Sequence, residues 1–273
     1  MPNPERNDGL RISRTEIERM ASAAAAIRDC QRELAARNAD LLSEITAGGV
    51  PICEWRRYPE GEVYDPKSHA QYFFHAHAGS GQQIRERGHF HTFMRAEGFP
   101  AGLAPLLLPE LAVADVAPLP PQAAPLNRGT REEVSHLIAI AIDGCGEPVR
   151  LFTTNRWVTG ETWYRAEDVI QMLDRFAVTG AEPSELLNRW ITAMIWLFRP
   201  QIADLLRARD ETAMAWRRRR RTHVFEDPRL EITSSLEIVL DEQLAAVDRL
   251  AAGSDTDAWH SKPGLPSMAE GWN

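Results

Sequence analysis

The chain has 273 residues, of which 44% are hydrophobic and 26% charged, with a formal net charge of −8. That length suits one large domain or two small ones with a real core, and the acidic balance argues against a protein that coats nucleic acid or an anionic membrane through bulk charge. Three cysteines, Cys30, Cys53 and Cys145, none in a C-x-x-C pair, make no disulfide framework and indicate a reducing compartment. The opening MPNPERNDGLRISR lacks the apolar core of a signal peptide. The most apolar stretch, Trp190 to Phe198, is too short to span a bilayer. The sequence therefore places the protein in the cytoplasm, off the membrane.

In chain order, residues 1–14 read as a flexible N-terminus. Thr15 to Ala47 reads as one long amphipathic helix, opened by a T-x-x-E capping pattern (Thr15, Glu18) and closed by Gly48 and Gly49, so the segment spans 15–49. Its apolar residues Ile17, Met20, Ala24, Ile27, Leu34, Leu41 and Ile45 alternate spacings of three and four. That seam packs on the helix's own domain or, alternatively, makes a homodimer. Residues 50–252 read as a single α+β domain. Pro51, Pro59, Gly61 and Pro66 make Val50 to Ser68 irregular, and a His-rich hairpin is predicted over 70–95. Gly98 to Gly129 is a proline-rich connection, with a short helical turn near Leu106 to Leu111. A second hairpin follows, Val134 to Asp143 and Val149 to Val158, about the turn GCGEP. A helical half runs over 165–252: Arg165 to Ala177, a segment from Glu185 to Arg221 that Pro200 splits or kinks, and Ser235 to Ala252. A Gly- and Asp-rich tail, 253–273, closes the chain.

The concentrated chemistry lies in the first hairpin. YFFHAHAG and RGHFHTFMR carry His75, His77, His89 and His91 as two His-x-His units. In a strand, residues i and i+2 share a face, so each pair projects together. A hairpin symmetric about Gln83 pairs His75 with His91 and His77 with His89. It sends Tyr72, Phe74, Phe90 and Met94 to the opposite, core-forming face. Directly opposed Cβ atoms lie about 5 Å apart and same-face neighbours about 7 Å. Three imidazoles of such a rectangle can meet one ion at the roughly 2.0–2.1 Å zinc–nitrogen distance. Neutral imidazole suits zinc, copper and iron, so a divalent metal ion is the cofactor this pattern implies. Glu86 could add a carboxylate as ligand or acid/base, and His136 stands by as a further ligand or a residue behind the ligands. The competing interpretation is that these histidines are packing residues of an aromatic-rich strand.

Two further segments carry polar or charged residues in suggestive clusters. Arg156, Glu161 and Trp163, at a strand exit, could line a pocket for a small molecule. Arg217 to Arg221 is a run of five arginines, but consecutive residues circle a helix and form no stripe, so cations favoured at a helix C-terminus explain it better than nucleic-acid binding does.

The segments YFFHAHAG, ERGHFHTFMR and HLIAIAIDGCGEPVRLFTTNRWVTGETWY together resemble an uncharacterised family of bacterial proteins with a domain of unknown function, over about residues 50 to 210. The resemblance implies only that the double His-x-His belongs to a recurring domain. The reading is thus an α+β protein whose small antiparallel sheet, two hairpins, packs with a long N-terminal helix and a helical C-terminal half. Its function is a metal-binding enzyme, iron-oxygenase-like or zinc-dependent. The alternative is a non-enzymatic metal- or ligand-binding regulator that dimerises through its first helix.

Overall fold

The structure, a computed structural model, describes residues 12–46, 52–54, 56–76, 86–108 and 133–253. The flexible ends expected at 1–14 and 253–273 lie almost wholly outside these residues. So does most of the proline-rich connection; of its expected helical turn, 106–108 are described and are not helical.

Helix α1 spans Arg14–Ala36. Its cap is Ser13, whose side chain accepts from the Glu16 backbone N–H, so the S-x-x-E two residues upstream of Thr15 and Glu18 is the one used. The helix ends at Ala36, not Ala47, because Asn38 turns left-handed (φ 51°) and Asp40 starts a separate short helix. This α2, Leu41–Ile45, is held by a capping box between Asp40 and Ser43. The apolar stripe of α1, through Met20, Ala24 and Ile27, packs on α5 (Glu185–Leu197) and α7 (Leu240–Ala251) of the same chain.

The sheet is larger than two hairpins. Six antiparallel strands stand in sequence order: β1 Arg57–Tyr64, β2 Ala70–His75, β3 Gly88–Arg95, β4 Val134–Ile142, β5 Pro148–Thr154 and β6 Ile232–Glu237. The two strands missed in the sequence are the two edges. Pro59 and Gly61 read as breakers, yet an edge strand tolerates proline because one side of it needs no ladder bonds. Ser235 to Glu237 read as the start of the last helix, yet the alternation and β-branched residues of ITSSLE suit a strand. The final helix accordingly starts at Leu240, and β5 ends at Thr154, where Asn155 caps the single-turn α3, Arg156–Thr159. The remaining helices are α4, Ala166–Leu173, and α6, Arg199–Arg220, which follows α5 across a break at Phe198 with Pro200 in its first turn.

One face of the sheet carries the main core. Tyr72, Phe74, Phe90, Met94, Ile138 and Ile140 are buried there in one cluster with α1 and α5. The Phe90 and Trp190 rings lie 5.8 Å apart, and the Tyr72 hydroxyl donates to Asn188 Oδ1 at 2.6 Å. Ser234 donates to the Leu205 carbonyl, which docks α6 on β6. Asp65 ties the β1–β2 turn to the α4–α5 connection. Its carboxylate accepts from the backbone N–H groups of Lys67, Ser68 and Thr179 and from the Thr179 hydroxyl. Among the described residues no helix is long and apolar enough to cross a membrane.

Candidate metal centre

Alternation sends the odd-numbered residues of β2 and β3 to the face away from that core. Pairing across β2 and β3 sets His75 opposite His89 and Phe73 opposite His91. The symmetric register about Gln83 is therefore off by two residues. An offset of two leaves every side chain on its expected face and only slides the partners along. His75, His89 and His91 still converge, and all three are buried, His91 fully.

One ring nitrogen from each of these three histidines lies within 4.8 Å of the other two. His89 Nε2 and His91 Nε2 are 3.0 Å apart. Nitrogens bound to one ion at about 2.0–2.1 Å stand about 2.8–3.4 Å from each other in octahedral or tetrahedral geometry. The cluster can therefore hold a metal ion after small ring movements. Phe73, 5.3 Å from His91 between ring centroids, walls one side; Phe152, 5.0 Å from His89, walls the other. Ala139 and Ala141 of β4 lie beside His91 and His89, and their small side chains leave room for Phe152 to reach over.

His136 reaches this face through an irregularity in the ladder. Thr92 pairs with Ile138 but Phe93 pairs with His136, so Leu137 is an extra residue. Strict alternation would put His136 with Ile138 and Ile140 in the core; the bulge turns it toward the imidazoles instead. His136 Nε2 lies 3.0 Å from His91 Nδ1. Burial, helped by the charge of Arg209, lowers the His136 imidazole to about 3, so it is neutral at physiological pH. In the tautomer in which His136 accepts at Nε2, His91 carries its hydrogen on Nδ1 and turns its Nε2 lone pair toward the cluster. Metal-bound histidines are oriented in this way by a partner on the far nitrogen.

Behind His136 sits Glu161, 2% exposed, whose Oε2 accepts the His136 backbone N–H at 2.8 Å. Burial pushes its carboxyl up to about 7, against the opposing pull of Arg209 and of that hydrogen bond. Trp163 is buried too, stacked on Phe225 at 4.5 Å, with the Arg209 guanidinium 4.3 Å from its ring centre. Arg156 is half-buried in an ion pair with Glu226.

The first-hairpin residues fare unevenly. His75, His89 and His91 come together and His136 stands behind them. His77 lies outside the described residues. Glu86 grips Arg150 through both carboxylate oxygens, at 2.5 and 2.7 Å. Sequence reasoning missed Arg57, Arg150, Phe152 and Arg209. Arg150 and Phe152 were legible as same-face neighbours on the predicted return strand. Arg57 was hidden by the breaker reading of β1, and Arg209 lies inside the long helical segment after Pro200, where nothing local marks it.

Fold and site define a six-stranded α+β protein with three buried imidazoles on the sheet face opposite its helices. The chain belongs to the family described as a domain of unknown function (DUF6969), whose model matches residues 21–238, a longer stretch than the 50–210 that the motifs suggested. No curated protein and no solved structure matches the chain.

Proposed function

We propose that this protein is a metal-dependent enzyme whose ion is held by His75, His89 and His91. The observation that supports it is the convergence of three buried imidazoles, two of them with Nε2 atoms 3.0 Å apart. Buried polar groups are costly unless each finds a partner, and a cation satisfies several imidazole lone pairs at once. Three protein nitrogens leave coordination positions open, the pattern of a catalytic rather than a closed structural site. The donor set favours zinc-type chemistry over the two-His, one-carboxylate iron set, because the nearby carboxylate Glu86 is engaged by Arg150. An ion so held supplies Lewis-acid activation of water or of a polarised oxygen. The chain's own part is to keep the site dry between Phe73 and Phe152 and to hold His91 in one tautomer through His136.

Elemental analysis of protein purified without an affinity tag, beside the His89→Ala/His91→Ala double variant, tests this reading. Near-stoichiometric metal in the wild type that disappears from the folded variant is the expected result. A wild type that stays empty after reconstitution with zinc, iron and copper would refute it.

A further inference from the structure

The rows of the sheet place more than histidines on this face. Pairing partners define a transverse row: Arg57 on β1 opposite His75 on β2, His75 opposite His89 on β3, His89 opposite Ala141 on β4, and Ala141 opposite Arg150 on β5. Directly paired residues of antiparallel strands point to the same side. Two guanidinium groups therefore flank two of the three imidazoles in one line across the sheet. Each stacks on the aromatic ring that walls the cluster on its own side. Arg57 lies 4.4 Å from the ring centre of Phe73, and Arg150 lies 4.4 Å from that of Phe152. The aromatic walls and the arginines on them are thus one arrangement, repeated on both flanks.

Charge bookkeeping then favours one class of ligand. Arg57 is paired with Glu62 and Arg150 with Glu86, so the flanks are balanced before any ion binds. Three neutral imidazoles bring no charge to a divalent ion. The full charge of the ion would sit in a buried site, where an uncompensated charge is expensive. An anion in the open position removes that cost. Both guanidinium groups already hold carboxylates, and Arg150 holds Glu86 by the two-pronged geometry that suits planar carboxylates.

On the reading that His75, His89 and His91 hold a metal, we propose that the substrate of this centre is a small carboxylate, bound with its anionic end between the ion and the arginines Arg57 and Arg150. Arg150 keeps Nε and Nη2 on Glu86 and offers its remaining N–H groups to the carboxylate, so Glu86 stays engaged while substrate binds.

The test uses the full-length protein loaded with cobalt(II), whose visible spectrum reports the coordination of the ion, titrated with acetate at constant ionic strength. A saturable spectral change is expected in the wild type. Arg150→Gln and Arg57→Gln should each weaken it about tenfold with cobalt stoichiometry unchanged, and Arg150→Lys should restore part of the loss. Circular dichroism identifies any variant that fails to fold, and the other arginine variant then decides. Equal acetate affinity in the wild type and both glutamine variants would overturn the proposal. So would an identical response to chloride or inorganic phosphate, which would mean that any anion fills the open position. A wild type that binds no cobalt defeats the metal reading itself, a result distinct from cobalt bound without carboxylate preference.

Discussion

The two faces of the sheet are made from the same six strands and serve opposite ends. The helix-side face is a continuous apolar cluster in which Phe90, Phe74 and Ile140 meet α1 and α5. Among the described residues the other face carries two small apolar groups, Phe73 with Phe93 and Val134, and Phe152 with Ala139 and Ala141. Between them lie imidazoles, and around them arginines. One face is mostly apolar, while the other concentrates polar groups in a buried setting. Stability and chemistry are thus separated by the alternation of the strands, and a change on one face should leave the other largely intact.

The largest test of that separation is on the helix side. Phe90→Ala should cost about 3–5 kcal/mol in denaturant unfolding, because the ring fills a site between Trp190 and Tyr72 that cannot collapse fully. The separation breaks if the cost is no greater than that of a change among the histidines.

A second test concerns the dependence on pH. Glu161 has its folded carboxyl raised from 4.5 to about 7 by burial. The folded state therefore binds a proton more readily than the unfolded chain between those values. Glu161 by itself therefore makes stability fall as pH rises through this window, by on the order of 3 kcal/mol at most, while His136, lowered from 6.5 to about 3, contributes a slope of the opposite sign below 6.5. Glu161→Gln keeps a carbonyl to accept the His136 backbone N–H and removes only the falling contribution, so the stability of the variant relative to the wild type should rise with pH in unfolding measured from pH 4.5 to 7.5. A difference between the two proteins that does not change with pH would assign the dependence to another group.

The smallest effect sharpens the comparison most. In metal-free protein, His91→Leu should lower unfolding stability by about 1–3 kcal/mol, because an apolar side chain of similar size fills the site but leaves the buried His136 Nε2 without its partner. The same variant should lose its metal. A loss of several kcal/mol without metal would mean that the imidazoles are packing residues, as on the helix side.

Much of this was legible beforehand where local chemistry decides. The parity of YFFHAHAG and GHFHTFMR gave both faces correctly, since a two-residue error in register keeps every residue on its side. The turn GCGEP forms as expected, with Asp143 accepting from Cys145 and Glu147 and Gly146 at φ +84°. What could not be read depends on tertiary context. β1 and β6 are strands because neighbours pair with them, in spite of Pro59 in one and the serines of the other. The bulge at Leu137, which turns His136 round, leaves no local mark in HLIAIAI. The long N-terminal helix was overextended because Asp40 and Ser43 look like ordinary helix-surface residues until their capping box is seen.

The same register argument has a consequence for how this chain can vary. Between β2 and β3, length is not a free parameter; it acts as a code with two letters, even and odd. Changing that connection while the strands slide by two positions moves the imidazoles along their face and keeps them convergent. A slip of β2 by one position would turn Phe73 and His75 against α5 and send Tyr72 and Phe74 to the other side. Such a step would cost core and site together, so relatives that differ in this connection should preserve the parity of their histidines even where they do not preserve its length.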